Sequence, residues 1–294
     1  MRKHISILIL TLSLTVLLGC SRSHHSRIVA TTGPVYQFTQ ALCHGTDMTV
    51  AQLITEEVSC LHDYTLRVDQ MQAVESAETV ILSGAGLEDF MSDILSNIET
   101  VIDCSDGVKV MSYDEDHAHD HEHSHDHHHE HDPHIWLSPA NAKIMAQNVC
   151  EGLCRRYPSD SSIFQSNLNI LLEKLDALQS YGEENLGILS NRELITFHDG
   201  FAYFAHSFGL HILEAVEEES GSEASAKELK HLITLVRQHH LPAIFTEVNG
   251  SESAAAVISR ETGVPVFPLD MAMSGGDYFK CMYHNIDTLK EALG

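Results

Sequence analysis

Positive charge is scarce in this chain of 294 residues. Lys and Arg number 17 against 42 Asp and Glu, a formal net charge of -25 with histidines neutral. No basic stripe is available to neutralise phosphates, which excludes DNA and RNA as partners. Long apolar runs are missing beyond the extreme N-terminus, so no later segment is expected to span a bilayer. No Cys-x-x-Cys pair marks a structural zinc knuckle. No Gly-x-Ser-x-Gly occurs, and no His-Glu-x-x-His falls on a helix-forming pattern. The usual signatures of serine hydrolases and zinc proteases are therefore absent.

What is abundant is histidine. The 22 histidines exceed all Lys and Arg together, and histidine is the commonest metal ligand. Hydrophobic residues make up 43% of the chain, enough for a sizeable core in one large domain or two lobes.

The N-terminus reads as an address. Arg2, Lys3 and His4 precede an apolar run from Ile5 to Leu18, too short for a comfortable span. Leu17-Leu18-Gly19-Cys20 looks like a bacterial lipobox, predicting a signal peptide over 1–19 and acylation of Cys20. Residues 20–27 then form a polar tether. Export permits disulfides, yet the six remaining cysteines allow fifteen complete pairings and sequence does not choose among them.

From Ile28 onward strands alternate with helices. Strands are predicted at 28–31, 50–54, 79–82, 194–197, 210–216, 243–246 and 264–268. Between them lie helices at 33–42, 65–77, 139–156, 229–239, 251–262 and 278–293, with a further helix ending at Phe208. Pro139 is well placed at a first helical position, and Ser225 with Glu228 makes a capping-box pattern. Over 159–187, Phe164, Leu168, Leu171, Leu172, Leu175 and Leu178 recur at helical spacing, long enough to cross a lobe. The expected fold is α/β: an N-terminal lobe over 28–158, a linking helix over 159–187 and a C-terminal lobe over 188–294, each lobe built on a parallel sheet. No internal sequence repeat is evident. Residues 114–132 are low-complexity, with His117, His119, His121, His123, His125, His127, His128, His129 and His131 among Asp and Glu. With nothing apolar to bury, that tract is expected to be a loop.

Outside the tract, His62, His134, His198 and Asp270 stand near predicted strand ends or at helix entries. In open α/β sheets ligands gather at the carboxyl ends of strands. Three imidazoles and one carboxylate there would complete a four-coordinate shell for Zn²⁺. Taken singly, each residue also has a plainer reading as a surface or capping residue, and spacing alone does not bring the four together.

The segments Asp132-Pro133-His134-Ile135-Trp136-Leu137-Ser138-Pro139, His62-Asp63-Tyr64, Phe197-His198-Asp199-Gly200-Phe201-Ala202-Tyr203-Phe204 and Ser225-Ala226-Lys227-Glu228-Leu229 carry a resemblance. So do Thr262-Gly263-Val264-Pro265-Val266, Leu269-Asp270 and Tyr283-His284-Asn285-Ile286-Asp287-Thr288-Leu289. Together they resemble the cluster A-I solute-binding proteins of metal ABC transporters, the ZnuA-like zinc-uptake family. The resemblance implies a C-clamp of two lobes bridged by a rigid helix, with metal held between them by His62, His134, His198 and Asp270. It places Glu247 as a residue orienting a ligand histidine, or as a rival fourth ligand. Manganese-type relatives look as though they carry a carboxylate where this chain has His198, and three imidazoles suit Zn²⁺ better than Mn²⁺. Manganese and iron remain alternatives. Cys60, two residues before His62, either perturbs the site or is an inert half-buried thiol, and the run from Met271 to Gly276 departs from the family pattern.

The resemblance further implies a monomer that passes its ion to a membrane permease driven by a separate ATPase. No Gly-x-x-x-x-Gly-Lys-[Ser/Thr] is present in this chain. The histidine tract has three readings: an auxiliary low-affinity collector, a sensor of zinc sufficiency, or a solvated spacer. Two rival functions stand beside transport. A zinc hydrolase would need an open water position and a base such as Glu247. A surface adhesin or metal store would need no closed interlobe site.

Overall fold

Residues whose sequence predicts parallel strands form two separate sheets. The computed structural model describes residues 27–56, 61, 64–112, 131–216, 224–273 and 276–294. The signal peptide, Cys20, most of the tether, Cys60, His62 and the tract histidines from His117 to His129 lie outside them. The first sheet contains β1 (Arg27–Ala30), β2 (Thr49–Gln52), β3 (Thr79–Leu82) and β4 (Val101–Asp103), in the order β2-β1-β3-β4 and all parallel. The second contains β5 (Glu193–Thr196), β6 (His211–Ala215), β7 (Ile244–Glu247) and β8 (Val266–Leu269), in the order β6-β5-β7-β8, again all parallel. The same topology thus occurs twice without a legible sequence repeat. Burial follows position in the sheet: central β3 and β7 are buried at every residue, while edge strands β2 and β4 alternate.

Helices close both layers. In the N-terminal lobe these are α1 (Gly33–Leu42), α2 (Val68–Glu75), the single turn α3 (Ser92–Leu95) and α4 (Pro139–Arg156). Next comes α5 (Ser161–Leu186), whose 26 residues make a rod of about 39 Å at 1.5 Å per residue. The C-terminal lobe adds α6 (Ala202–Phe208), α7 (Ala226–Gln238), α8 (Ser253–Thr262) and α9 (Tyr278–Leu293). Caps fix several entries. Ser138 accepts from the Asn141 N–H before Pro139, Ser225 and Glu228 complete the predicted capping box, and Asp277 accepts from the Lys280 N–H at 3.0 Å. No helix among the described residues is long and apolar enough to cross a membrane.

The long helix does not stand alone. It packs on α1, α4 and α9. Gly182 lets it approach α6, because a β-carbon there would fall 2.1 Å from the Phe208 ring. One buried hydrophobic cluster consequently runs through both lobes, from Ile28 and Trp136 through Leu175 to Met273 and Leu289. A smaller cluster, centred on Ile195, Leu232 and Ile258, lies between the second sheet, α7 and α8.

Several expectations need correction. β4, α3 and the 3-10 turn Asp89–Met91 were not predicted. β4 turns only Ile102 inward, so its sequence has no apolar alternation to read. The helix expected from residue 65 starts at Val68, where the Arg67 N–H donates to the Gln70 side chain at 2.9 Å. The second strand ends at Gln52 rather than 54, since Leu53 and Ile54 turn into the core. The described cysteines Cys43, Cys104, Cys150, Cys154 and Cys281 are all free.

Candidate metal centre

The strand order 2-1-3-4 creates a crevice where the chain leaves the first strand of a sheet in one direction and returns on the other side. In the second sheet that crevice lies between the carboxyl ends of β5 and β7. His198 follows β5 by two residues, and Glu247 is the last residue of β7. The two meet, with His198 Nδ1 3.7 Å from a Glu247 carboxylate oxygen. His134 arrives from the other lobe, as the residue that opens the 3-10 turn Ile135–Leu137.

His134 is 1% exposed and held from behind by Asp132. One Asp132 oxygen accepts from the His134 backbone N–H at 2.9 Å and pairs with its ring Nδ1 at 2.7 Å. With Nδ1 carrying the proton, Nε2 presents a lone pair. That nitrogen faces His198 Nε2 at 3.4 Å, and the rings stand edge to face. Two nitrogens each about 2.0–2.1 Å from a tetrahedral Zn²⁺ would be separated by about 3.3 Å. Both imidazoles thus turn one nitrogen toward a carboxylate and the other toward a shared point, the arrangement of a carboxylate-supported ligand histidine.

Asp270 follows β8 at the same sheet end. Its Oδ1 accepts from the Ala272 N–H at 2.7 Å, so the plainer reading of this residue as a turn cap is also realised. It lies near enough to act on Glu247. Burial first, then the negative charge of Asp270, pushes the Glu247 carboxyl up to about 8. A divalent cation between these groups would reverse that repulsion.

The structure therefore brings His134, His198 and Glu247 together and leaves Asp270 beside them. Among the described residues no group of three or more His, Cys, Asp and Glu side chains encloses a metal-sized position. His62 lies outside those residues, though its neighbours are fixed: Leu61 is fully buried, and the Tyr64 hydroxyl reaches Glu56 and Gln70. Of the tract histidines, His131 alone is described. It forms an isolated bridge with Ser112. The adjoining Met111 N–H donates to the Tyr203 hydroxyl, which donates to the Asp132 carbonyl.

Sequence reading missed these supports. Asp132 could have been found from its place two residues before His134. Trp136 and Tyr203 could not, because their partners lie far along the chain. Trp136 Nε1–H donates to the Met271 carbonyl at 2.8 Å, and the Trp136 carbonyl accepts from the Tyr278 hydroxyl at 2.8 Å. The Gly33 N–H donates to the Met273 carbonyl at 2.7 Å. The segment after Asp270 is thereby stitched to the N-terminal lobe.

Two repeated α/β sheets, one long bridging helix and imidazoles converging from both lobes define a two-lobed protein with its candidate ligand site in the interlobe crevice. The chain belongs to the ZnuA family, described as the periplasmic component A of the zinc-uptake complex, whose model matches residues 28–292. This bears out the resemblance read from the motifs. The zinc-binding lipoprotein AdcA of Streptococcus pneumoniae is 27% identical over 306 residues, covering 98% of this chain and 61% of AdcA. The chain thus spans about three fifths of that relative's length. A crystal structure of ZnuA aligns with a TM-score of 0.78 at 26% identity, covering 92% of this chain and 99% of that one. Zn(II)-bound AdcA from Streptococcus pneumoniae aligns at 0.77 and 25% identity, covering 91% of this chain and 57% of that one.

Proposed function

We propose that this protein is an exported, lipid-anchored binding protein that holds Zn²⁺ between its lobes and delivers it to an ABC-type permease powered by a separate ATPase. In this reading His62, His134, His198 and Asp270 ligate the ion, and Glu247 holds the His198 ring. Residues 28–158 and 188–294 act as the lobes, and 159–187 as the strut between them. The observation that carries the reading is the 3.4 Å approach of the His134 and His198 Nε2 atoms, each ring having a carboxylate at its other nitrogen. Family membership and relatives named for zinc binding support the choice of ion. An imidazole at 198 favours zinc over manganese, which remains the secondary cargo. The protein works by stoichiometric capture rather than turnover, as a monomer anchored through Cys20. The histidine tract supplies weaker auxiliary sites. Any segment that must order around an ion loses conformational entropy, so such sites bind less tightly than a preformed one.

The test is a competition titration of the purified protein with Zn²⁺ and Mn²⁺, beside His198→Ala and a deletion of residues 115–131. One tight Zn²⁺ that survives the deletion and is lost in His198→Ala is expected. Tight binding that vanishes with the tract and ignores His198 would replace this reading with a histidine-tract metal store.

A further inference from the structure

The main chain of Asp270 is gripped by a buried side chain from another element. Asn285, on α9, is fully buried. Its Oδ1 accepts from the Asp270 N–H at 2.8 Å, and its Nδ2 donates to the Asp270 carbonyl at 2.7 Å. A side-chain amide that satisfies both main-chain groups of one residue fixes that peptide much as a neighbouring strand would. One helical turn earlier on the same face, the Cys281 thiol lies within interaction range of the Asp270 side chain. The third contact is the Ala272 N–H on Oδ1, made possible by a left-handed Ala272 at φ 54°. Such a conformation is costly for a residue with a β-carbon and persists only where surrounding contacts impose it. All of these contacts converge on Asp270.

We propose that α9 is a clamp for the carboxylate ligand, in which Asn285 and Cys281 are positioning residues that present Asp270 to the ion through one oxygen. The inference rests on the reading of Asp270 as a ligand. Monodentate presentation keeps the shell at four donors, as Zn²⁺ prefers, and withholds the extra oxygen contacts that suit Mn²⁺. The clamp therefore contributes to ion choice as well as to affinity.

The experiment uses the full chain with less than one equivalent of metal, so that only the tightest site fills. Zn²⁺ and Mn²⁺ affinities and the visible absorption of bound Co²⁺ are measured for wild type, Asp270→Ala, Asn285→Ala, Cys281→Ala and Cys281→Ser. Tetrahedral Co²⁺ absorbs far more strongly than octahedral Co²⁺, which makes the band a reporter of geometry. Asn285→Ala is expected to weaken Zn²⁺ about 10- to 100-fold, narrow the preference over Mn²⁺ and lower the Co²⁺ band. Cys281→Ala should do the same to a smaller degree, and Cys281→Ser, which keeps a donor, should restore it. Unchanged Zn²⁺ affinity in Asp270→Ala removes the ligand reading itself. Loss in Asp270→Ala, with both clamp variants merely less heat-stable and otherwise like wild type, overturns the clamp. If Asn285→Ala does not fold, the Cys281 pair decides: equal behaviour of the Ala and Ser variants overturns it too.

Discussion

Gly200 shows how narrowly the His198 ring is held. A β-carbon at that position would fall 2.7 Å from Cδ2 and 2.9 Å from Nε2 of His198, and 2.5 Å from the Met271 methyl. Gly200→Ala removes no proposed ligand, yet it must push the imidazole or Met271 aside. Overpacking of this kind costs roughly 1–3 kcal/mol, and to the extent that the displaced His198 ring bears it, Zn²⁺ binding should weaken by about 5- to 150-fold. Isothermal titration of Gly200→Ala checks this, and a wild-type affinity would show that the crevice yields freely. His198 itself was legible because it follows a clear strand and sits in a recognisable segment. Asp132 was half legible from its place in the Asp-Pro-His run. Asn285 lies in a segment that carried the resemblance, but its role was not legible, since its partner lies fifteen residues away across a loop that departs from the family pattern. A buried asparagine in a helix gives no periodic signal of its own.

At the scale of elements, the turn leaving β3 is organised by one buried carboxylate. Glu88 accepts from the Ser83 and Gly84 N–H groups at 2.8 and 3.0 Å and from the Thr31 hydroxyl at 2.5 Å. It thereby ties the ends of β1 and β3 at the crevice of the first sheet. Burial outweighs these hydrogen bonds and pushes its carboxyl up from 4.5 to about 7. The folded state therefore holds this proton more tightly than the unfolded chain does. Its contribution to stability is full below pH 4.5 and is lost as pH rises through about 7. In urea denaturation at pH 5 and pH 8, the stability of wild type relative to Glu88→Gln should fall between the two pH values. The drop is on the order of 3 kcal/mol at most, at 1.36 kcal/mol per pKa unit. A difference that does not change with pH would mean that Glu88 is ionised throughout. The strands and long helices around this turn were readable from apolar spacing, whereas β4 and α3 were not. They are too short to show a period, and their places are set by the sheet edge and by the glycine-rich turn after β3.

For the molecule as a whole, the continuity of the core matters more than the count of lobes. Two lobes that met only through polar contacts would be expected to swing and to unfold separately. Here one buried cluster joins the first sheet, the long helix, α6 and α9. Heat or denaturant should accordingly produce a single transition, with far-UV circular dichroism and hydrogen-exchange protection of both sheets lost together. Two resolved transitions would show that the second sheet, with its own smaller cluster, melts independently. The two-lobed plan was readable from the order of strands and helices. The sharing of one core was not, because it depends on which faces of α5 and α9 meet.

Trp136 gives that shared core an optical consequence. It is the single tryptophan of the chain, fully buried, and its indole N–H bonds the Met271 carbonyl across the lobes while its ring lies 5.4 Å from that of His134. All indole emission from the protein therefore originates at the junction beside the crevice. A paramagnetic ion such as Cu²⁺ or Co²⁺ seated between His134 and His198 should quench it, whereas one captured only by the histidine tract would quench it less. The protein thus carries, without any label, a fluorophore whose brightness reports where in the molecule an ion has come to rest.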